Sequence, residues 1–134
     1  MIKLNKRKQY RKIQQGLDIM SKSKDKKGKN NEVKRPVHKE VLEDLNKVVN
    51  QNPDLPFVYY NRANVKLTLK KYQRAIDDYS MAIKLQPTLA EAYYNRALTL
   101  LYVDETKLAC KDLSKAGELG ITESYNVIKR FCNK

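Results

Sequence analysis

The side chains that could do chemistry are few and far apart. His38 is the single histidine, Cys110 and Cys132 are the two cysteines, and Asp77–Asp78 is an adjacent acidic pair. A nucleophile needs a base within hydrogen-bond reach, yet His38, close to Pro36 at a helix start, has no serine or cysteine at an interpretable spacing. A metal needs clustered ligands, and His38, Cys110 and Cys132 are scattered along the chain. No glycine-rich phosphate loop is present. The acidic pair could act as general acid and base. However, Asp44, Asp78 and Asp112 recur at one constant interval, as a solvated position of a repeat would. No enzyme, metal or cofactor is therefore expected.

The cysteines show neither metal-ligand spacing nor a disulfide-framework pattern. They read as reduced helix cysteines in a reducing compartment, which points to the cytoplasm. The stretch MIKLNKRKQYRKIQQGLDIM is too charged to hold the apolar core of a signal peptide. No run approaches the roughly 20 apolar residues of a membrane span.

The 34-residue interval is plainest in VYYNRAN (58–64), which returns as AYYNRAL (92–98). Aligning 54–87 with 88–121 needs no gap. Twelve pairs are identical, at Leu55, Tyr59, Tyr60, Asn61, Arg62, Ala63, Leu67, Ala75, Asp78, Ser80, Ala82 and Leu85 and the matching positions of the second copy. Unrelated pairing at ordinary composition gives roughly two. VLEDLNKVVNQNP (41–53) extends the match backward to AIDDYSMAIKLQP (75–87), keeping the apolar spacing, the acidic pair and the closing proline. Ala75, Tyr79, Ala82 and Ile83 lie on one face of a 3.6-residue helix, and Pro53 and Pro87 end their helices. Gly117 and Gly120 loosen the end of the last unit. Self-similarity at this period marks a stacked repeat protein.

These residues resemble the tetratricopeptide repeat, a 34-residue pair of antiparallel helices. Tyr59, Ala63, Ala75, Tyr79, Ala82 and Pro87 fit its anchor positions, and Tyr93, Ala97, Leu100, Ala109, Leu113 and Ala116 repeat them. Lys66 departs from the pattern, standing where a packed aromatic is usual, and Ile121 replaces the closing proline. The resemblance implies an all-α, right-handed solenoid of about three repeats. Its units are a second helix at 37–53 belonging to a first, atypical repeat, then repeats at 54–87 and 88–121, and a capping helix at 122–134. Tyr10, Ile13, Leu17 and Met20 recur at helical spacing, so the missing first helix is expected at 6–20. A flexible loop at 21–36 would follow it, because SKSKDKKGKNNEVK has no apolar stripe.

The resemblance also implies a protein–protein interaction module whose first helices line a concave groove for a peptide or partner helix. Carried over by position, the groove set is Phe57, Tyr60, Asn61, Asn64, Leu67 and Thr68 in one unit. In the next it is Glu91, Tyr94, Asn95, Leu98, Leu101 and Tyr102. Asparagine can bracket peptide amides with donor and acceptor, and tyrosine offers large contact area at low entropy cost. Asn61 and Asn95 could equally bond between neighbouring repeats. Some family members grip a chaperone's C-terminal carboxylate with two asparagines and lysines. Asn64 and Asn95 stand at that separation, but Tyr60 and Tyr125 occupy the lysine positions, so a chaperone clamp is not expected.

The net charge of +13 is unevenly placed. Residues 1–36 hold 13 Lys and Arg against Asp18, Asp25 and Glu32, whereas residues 37–134 hold 15 against 12 acids. The competing function is therefore nucleic-acid or anionic-surface binding through residues 1–36. That segment has no interleaved aromatic beyond Tyr10, which makes nucleic acid the weaker reading.

Overall fold

The computed structural model describes residues 34–133. The expected helix at 6–20 and most of the 21–36 loop lie outside them. Within them the chain forms six helices: α1 (Lys34–Gln51), α2 (Pro56–Thr68), α3 (Tyr72–Leu85), α4 (Ala90–Tyr102), α5 (Thr106–Glu118) and α6 (Glu123–Phe131). Each helix packs on the next along the chain, an all-α stack of helix pairs with no strand among the described residues. α1 begins at Lys34, inside the stretch expected to be loop. Pro36 does not prevent this, because backbone N–H groups of a first turn have no intrahelical acceptor to lose.

The corners inside the pairs share one device. Lys70 and Asp104, which hold the same place in successive units, take positive φ values of 64° and 62°, and Gly120 takes 113°. After each of these the next amide reaches back: Lys71 N–H to the Lys66 carbonyl, Glu105 to Leu100 and Ile121 to Ala116, at 2.8–2.9 Å. These bonds satisfy carbonyls that a helix end leaves open. Gly120 thus closes α5 rather than loosening it, as its place near the end of the last unit had suggested.

Small residues let the paired helices approach. Ala63, Ala75 and Ala82 are fully buried between α2 and α3, with Tyr59, Leu67 and Tyr79 around them. Ala97, Ala109, Leu101 and Leu113 do the same between α4 and α5. Short side chains at a crossing allow close helix axes. Each buried leucine contributes about 1.5–3 kcal/mol relative to exposure. At the end of the stack, Phe131 of α6 is buried in the second cluster, with Val127 and Ile128 packed beside it.

The cysteines are not reduced. Cys110, in the second turn of α5, is disulfide-bonded to Cys132 at the end of α6, with Cα atoms 5.9 Å apart. The expectation of free thiols fails because α6 folds back along α5. That return path is a tertiary fact which the spacing of 22 residues does not disclose.

Candidate functional site

The doubled YYNRA places its residues on the first helix of each pair, and its arginines are structural. Arg62 grips both carboxylate oxygens of Asp78 at 2.8 Å, and Arg96 grips Asp112 at 2.7 and 2.8 Å. Each also donates to the second helix of the preceding pair, Arg62 to Asn46 Oδ1 and Arg96 to Ser80 Oγ, both at 3.0 Å. Each guanidinium lies over the tyrosine that opens the motif, Tyr59 or Tyr93, at 5.7 and 5.8 Å. One side chain therefore ties three helices, and the fork geometry explains why arginine stands here. Hydrogen bonding to the aspartates raises both guanidinium pKa values against the opposing effect of burial.

This corrects the reading of the periodic acids as solvated. Asp78 and Asp112 are only 5% and 7% exposed; Asp44 alone is exposed. Lys66, the departure from the family pattern, also bonds Asp78, at 2.9 Å. The clamp was available in the sequence. Arg62 and Asp78 both belong to the identical pairs, so each copy carries an arginine and an aspartate at the same separation.

The first helices α2 and α4 touch, and a polar cluster lies where they meet α3. Tyr79 is completely buried, so its hydroxyl must bond internally, and it donates to Asn64 Oδ1. Asn95 spends both amide protons, on Asn64 Oδ1 and on the Tyr60 hydroxyl, each at 3.1 Å. Its Oδ1 is then left as an acceptor without a partner among the described residues. Burial is the main cause that raises the pKa values of Tyr60, Tyr79 and Tyr94, and Glu123 adds to the shift at Tyr94. The tyrosines thus stay neutral hydrogen-bonding groups.

The expected groove residues divide into three groups. Asn61, Glu91 and Phe57 are exposed or partly so, with Phe57 at 54%. Tyr60, Asn64, Thr68, Tyr94, Asn95 and Tyr102 are half-buried. Thr68 bonds back to the Asn64 carbonyl, and the Tyr102 ring stacks on Tyr72 with centroids 5.1 Å apart. Leu67, Leu98 and Leu101 are buried core at 1%, 7% and 0% exposure, so they support the face from behind and offer a ligand almost no surface. The paired asparagines, expected either to contact a ligand or to bond between neighbouring repeats, sit differently in the structure. Asn95 bonds to the neighbouring repeat, whereas Asn61 has no side-chain partner among the described residues. No group of three or more His, Cys, Asp or Glu side chains is gathered among the described residues.

Residues 56–89 match the family model of the tetratricopeptide repeat, and the stacked helix pairs form a tetratricopeptide-repeat-like fold. Among solved structures the chain is similar to the MamA protein, with 26% identity over 66% of this chain and a TM-score of 0.63. The chain spans 49% of that structure's length. It is also similar to the first TPR of Spaghetti (RPAP3), bound to the HSP90 peptide SRMEEVD, with 24% identity, 84% of this chain and 88% of that one covered, and a TM-score of 0.68. The second TPR domain of human RPAP3, in complex with the HSP70 peptide SGPTIEEVD, has 20% identity, covers 86% of this chain and 98% of its own, and also scores 0.68. No curated protein sequence matches the chain. No helix among the described residues is long and apolar enough to cross a membrane.

Proposed function

We propose that the protein is a non-catalytic adaptor that holds an extended peptide or a partner helix against α2 and α4. The observation that carries this reading is the amide cluster of Asn64 and Asn95. The cluster is fixed in place by Tyr60 and Tyr79, its one open acceptor is Asn95 Oδ1, and exposed Asn61 and Phe57 lie on the same helix as Asn64. Rigid amides match the alternating donors and acceptors of a peptide backbone, and pre-organisation lowers the ordering cost of binding. Phe57, Tyr60, Asn61, Asn64, Tyr94 and Asn95 form the contact set. Leu67, Leu98 and Leu101 support it from behind, and Tyr102 stacks on Tyr72 at its edge.

The two RPAP3 domains are bound to chaperone peptides that end in EEVD, an acidic tail. Here Tyr60 fills one position where a lysine would meet such a tail, so the favoured ligand is less acidic. The expectation of a cytoplasmic site of action rested on reduced cysteines. The disulfide removes that support and suits an oxidising compartment.

The test is selection of a displayed random-peptide library on the whole protein at high salt, followed by titration of the selected peptides. Phe57→Ala and Tyr94→Ala should each weaken binding about tenfold or more, while Lys107→Ala, on α5, should leave it unchanged. Peptides that bind the Tyr94→Ala protein as tightly as the wild type would sink the reading. Capture of a single-stranded DNA probe, with affinity falling steeply in salt, would favour the basic segment instead.

A further inference from the structure

The two copies of the repeat part company at the junction of α3, α4 and α5. Ile76, Leu100 and Leu108, one from each helix, line a cavity of about 320 Å³. The Arg96–Asp112 pair and Ser80 form its polar wall, and Lys111 stands at its lip. Arg96 is already fixed there by both Asp112 oxygens and by Ser80 Oγ, so the wall is pre-organised. Three of the lining residues change chemistry from one copy to the next. Lys66 reaches Asp78 at 2.9 Å in the earlier copy, whereas its counterpart Leu100, 6% exposed, makes an apolar floor. Leu108 replaces Arg74 and keeps 49% of its surface exposed. Lys111 replaces Asp77, and both are exposed.

The surroundings of the opening change with it. Lys111 and Lys115 follow one another at i and i+4 on α5, both exposed, where α3 carries Asp77 and Met81. Among the exposed charges of α3 and α5, Arg74, Lys84, Lys107, Lys111 and Lys115 face only Asp77 and Glu118. Asp77 is in turn bonded by Gln73 at 3.3 Å. We propose that this cavity is a second binding site, for an acidic segment of a partner protein. One large apolar side chain of that segment seats on Ile76, Leu100 and Leu108, and its carboxylates pair with Lys111 and Lys115. The volume lies near the lower bound of ligand-holding pockets, roughly 300 Å³, which suits a single anchor ringed by charge. No residue is shared with the contact set on α2 and α4, so the two sites stand or fall separately. Charge selects this occupant. A second copy carries +13, and residues 1–36 hold 13 cations against three acids, so like charge works against both. Bases of a single-stranded nucleic acid need aromatic platforms, and none of the lining side chains is aromatic.

The probe is a capped heptapeptide with one leucine between two runs of three glutamates, titrated at low salt into the whole isotope-labelled protein. Its binding should move the amide resonances of Ile76, Ser80, Leu108 and Lys111 and leave that of Asn64 in place. Serine in place of the peptide's leucine, or lysines in place of its glutamates, should weaken binding about tenfold or more. High salt should weaken it too, because the exposed pairs are screened. In the protein, restoring the earlier copy's residues is the matching change. Leu108→Arg and Lys111→Asp should each cost about tenfold in affinity, with unfolding midpoints close to the wild type because both positions are exposed. The peptide substitutions leave the protein untouched, so they decide the matter even where a variant folds poorly. Shifts centred on α2 and α4, equal binding of the serine peptide, or no saturable shift would each overturn the proposal.

Discussion

The first and last helices among the described residues differ: α6 is tied down, while α1 keeps part of its apolar face exposed. α6 seats Phe131, 5% exposed, in the second core cluster, and the Cys110–Cys132 bond ties the end of that helix to α5. Gly117 lets the cap lie close, since a Cβ there would stand 2.7 Å from the Tyr125 ring. At the other end α1 shows Val41, Leu45, Val48 and Asp44 to solvent in whole or in part. Stacked units bury their apolar faces only against neighbours, so each end of a solenoid needs its own solution. Here the short terminal helix is held both by Phe131 in the core and by the covalent bond to α5. α1 is twice as long and shows no covalent tie within the described residues.

Reduction gives the largest effect. By loop-closure entropy, a cross-link spanning 22 residues contributes about 3 kcal/mol. Cys110→Ser/Cys132→Ser, or the wild type in strong reductant, should lose about that much in denaturant unfolding. Exchange protection should fall first in α6 and the second half of α5, while α1 and α2 keep theirs. Equal loss of protection at both ends would show a single cooperative unit and erase the contrast between them.

The arginine clamps come next, and they are unequal. Asp78 keeps Lys66 if Arg62 is removed, at 2.9 Å, whereas Asp112 has no second cation paired with it among the described residues. The Arg62 and Arg96 side chains are 17% and 22% exposed, so solvent screens part of each interaction and full buried-pair values do not apply. Arg96→Met should cost about 2 kcal/mol and Arg62→Met about 1 kcal/mol, since stranding a buried carboxylate costs more than losing one of two partners. Chemical denaturation of the two variants decides it. The reverse order would mean that the half carrying α1 and α2 depends more on its clamp than the disulfide-tied half does.

Much of this was legible in the letters because a repeat is written twice. The 34-residue period, the helices, and the buried Ala63, Ala75, Ala82, Ala97 and Ala109 follow from residue size and spacing. The burial of Asp78 and Asp112 is not legible in their recurrence, because a charged residue recurring on a helix is ordinarily solvated. Only pairing each with the arginine of the helix before it reveals a buried ion pair. The depth of Leu67 and Leu98 is not legible either, because position within a family unit does not say how deep the face is. Asn95 bonds Tyr60 and Asn64 of the preceding first helix, a contact set by how two units stack and not by the letters of either one. The disulfide depends on where α6 returns, which no local spacing encodes.

The smallest effect lies in the corners and tests whether the two ends unfold together. Lys70 and Asp104 hold left-handed backbone without being glycine, while Gly120, between α5 and α6, already has the unstrained residue. A side chain in that region costs about 1–2 kcal/mol. Part of this is returned to the unfolded chain's entropy when glycine replaces it. Lys70→Gly and Asp104→Gly should therefore each stabilise by about 0.5–1 kcal/mol, and Gly120→Ala should destabilise by about 1 kcal/mol. In thermal unfolding of a single cooperative stack the two glycine variants raise the midpoint equally. If Asp104→Gly raises it and Lys70→Gly does not, the disulfide-tied half melts last and sets the midpoint alone. The half that carries α1 and α2 is then the part that yields first.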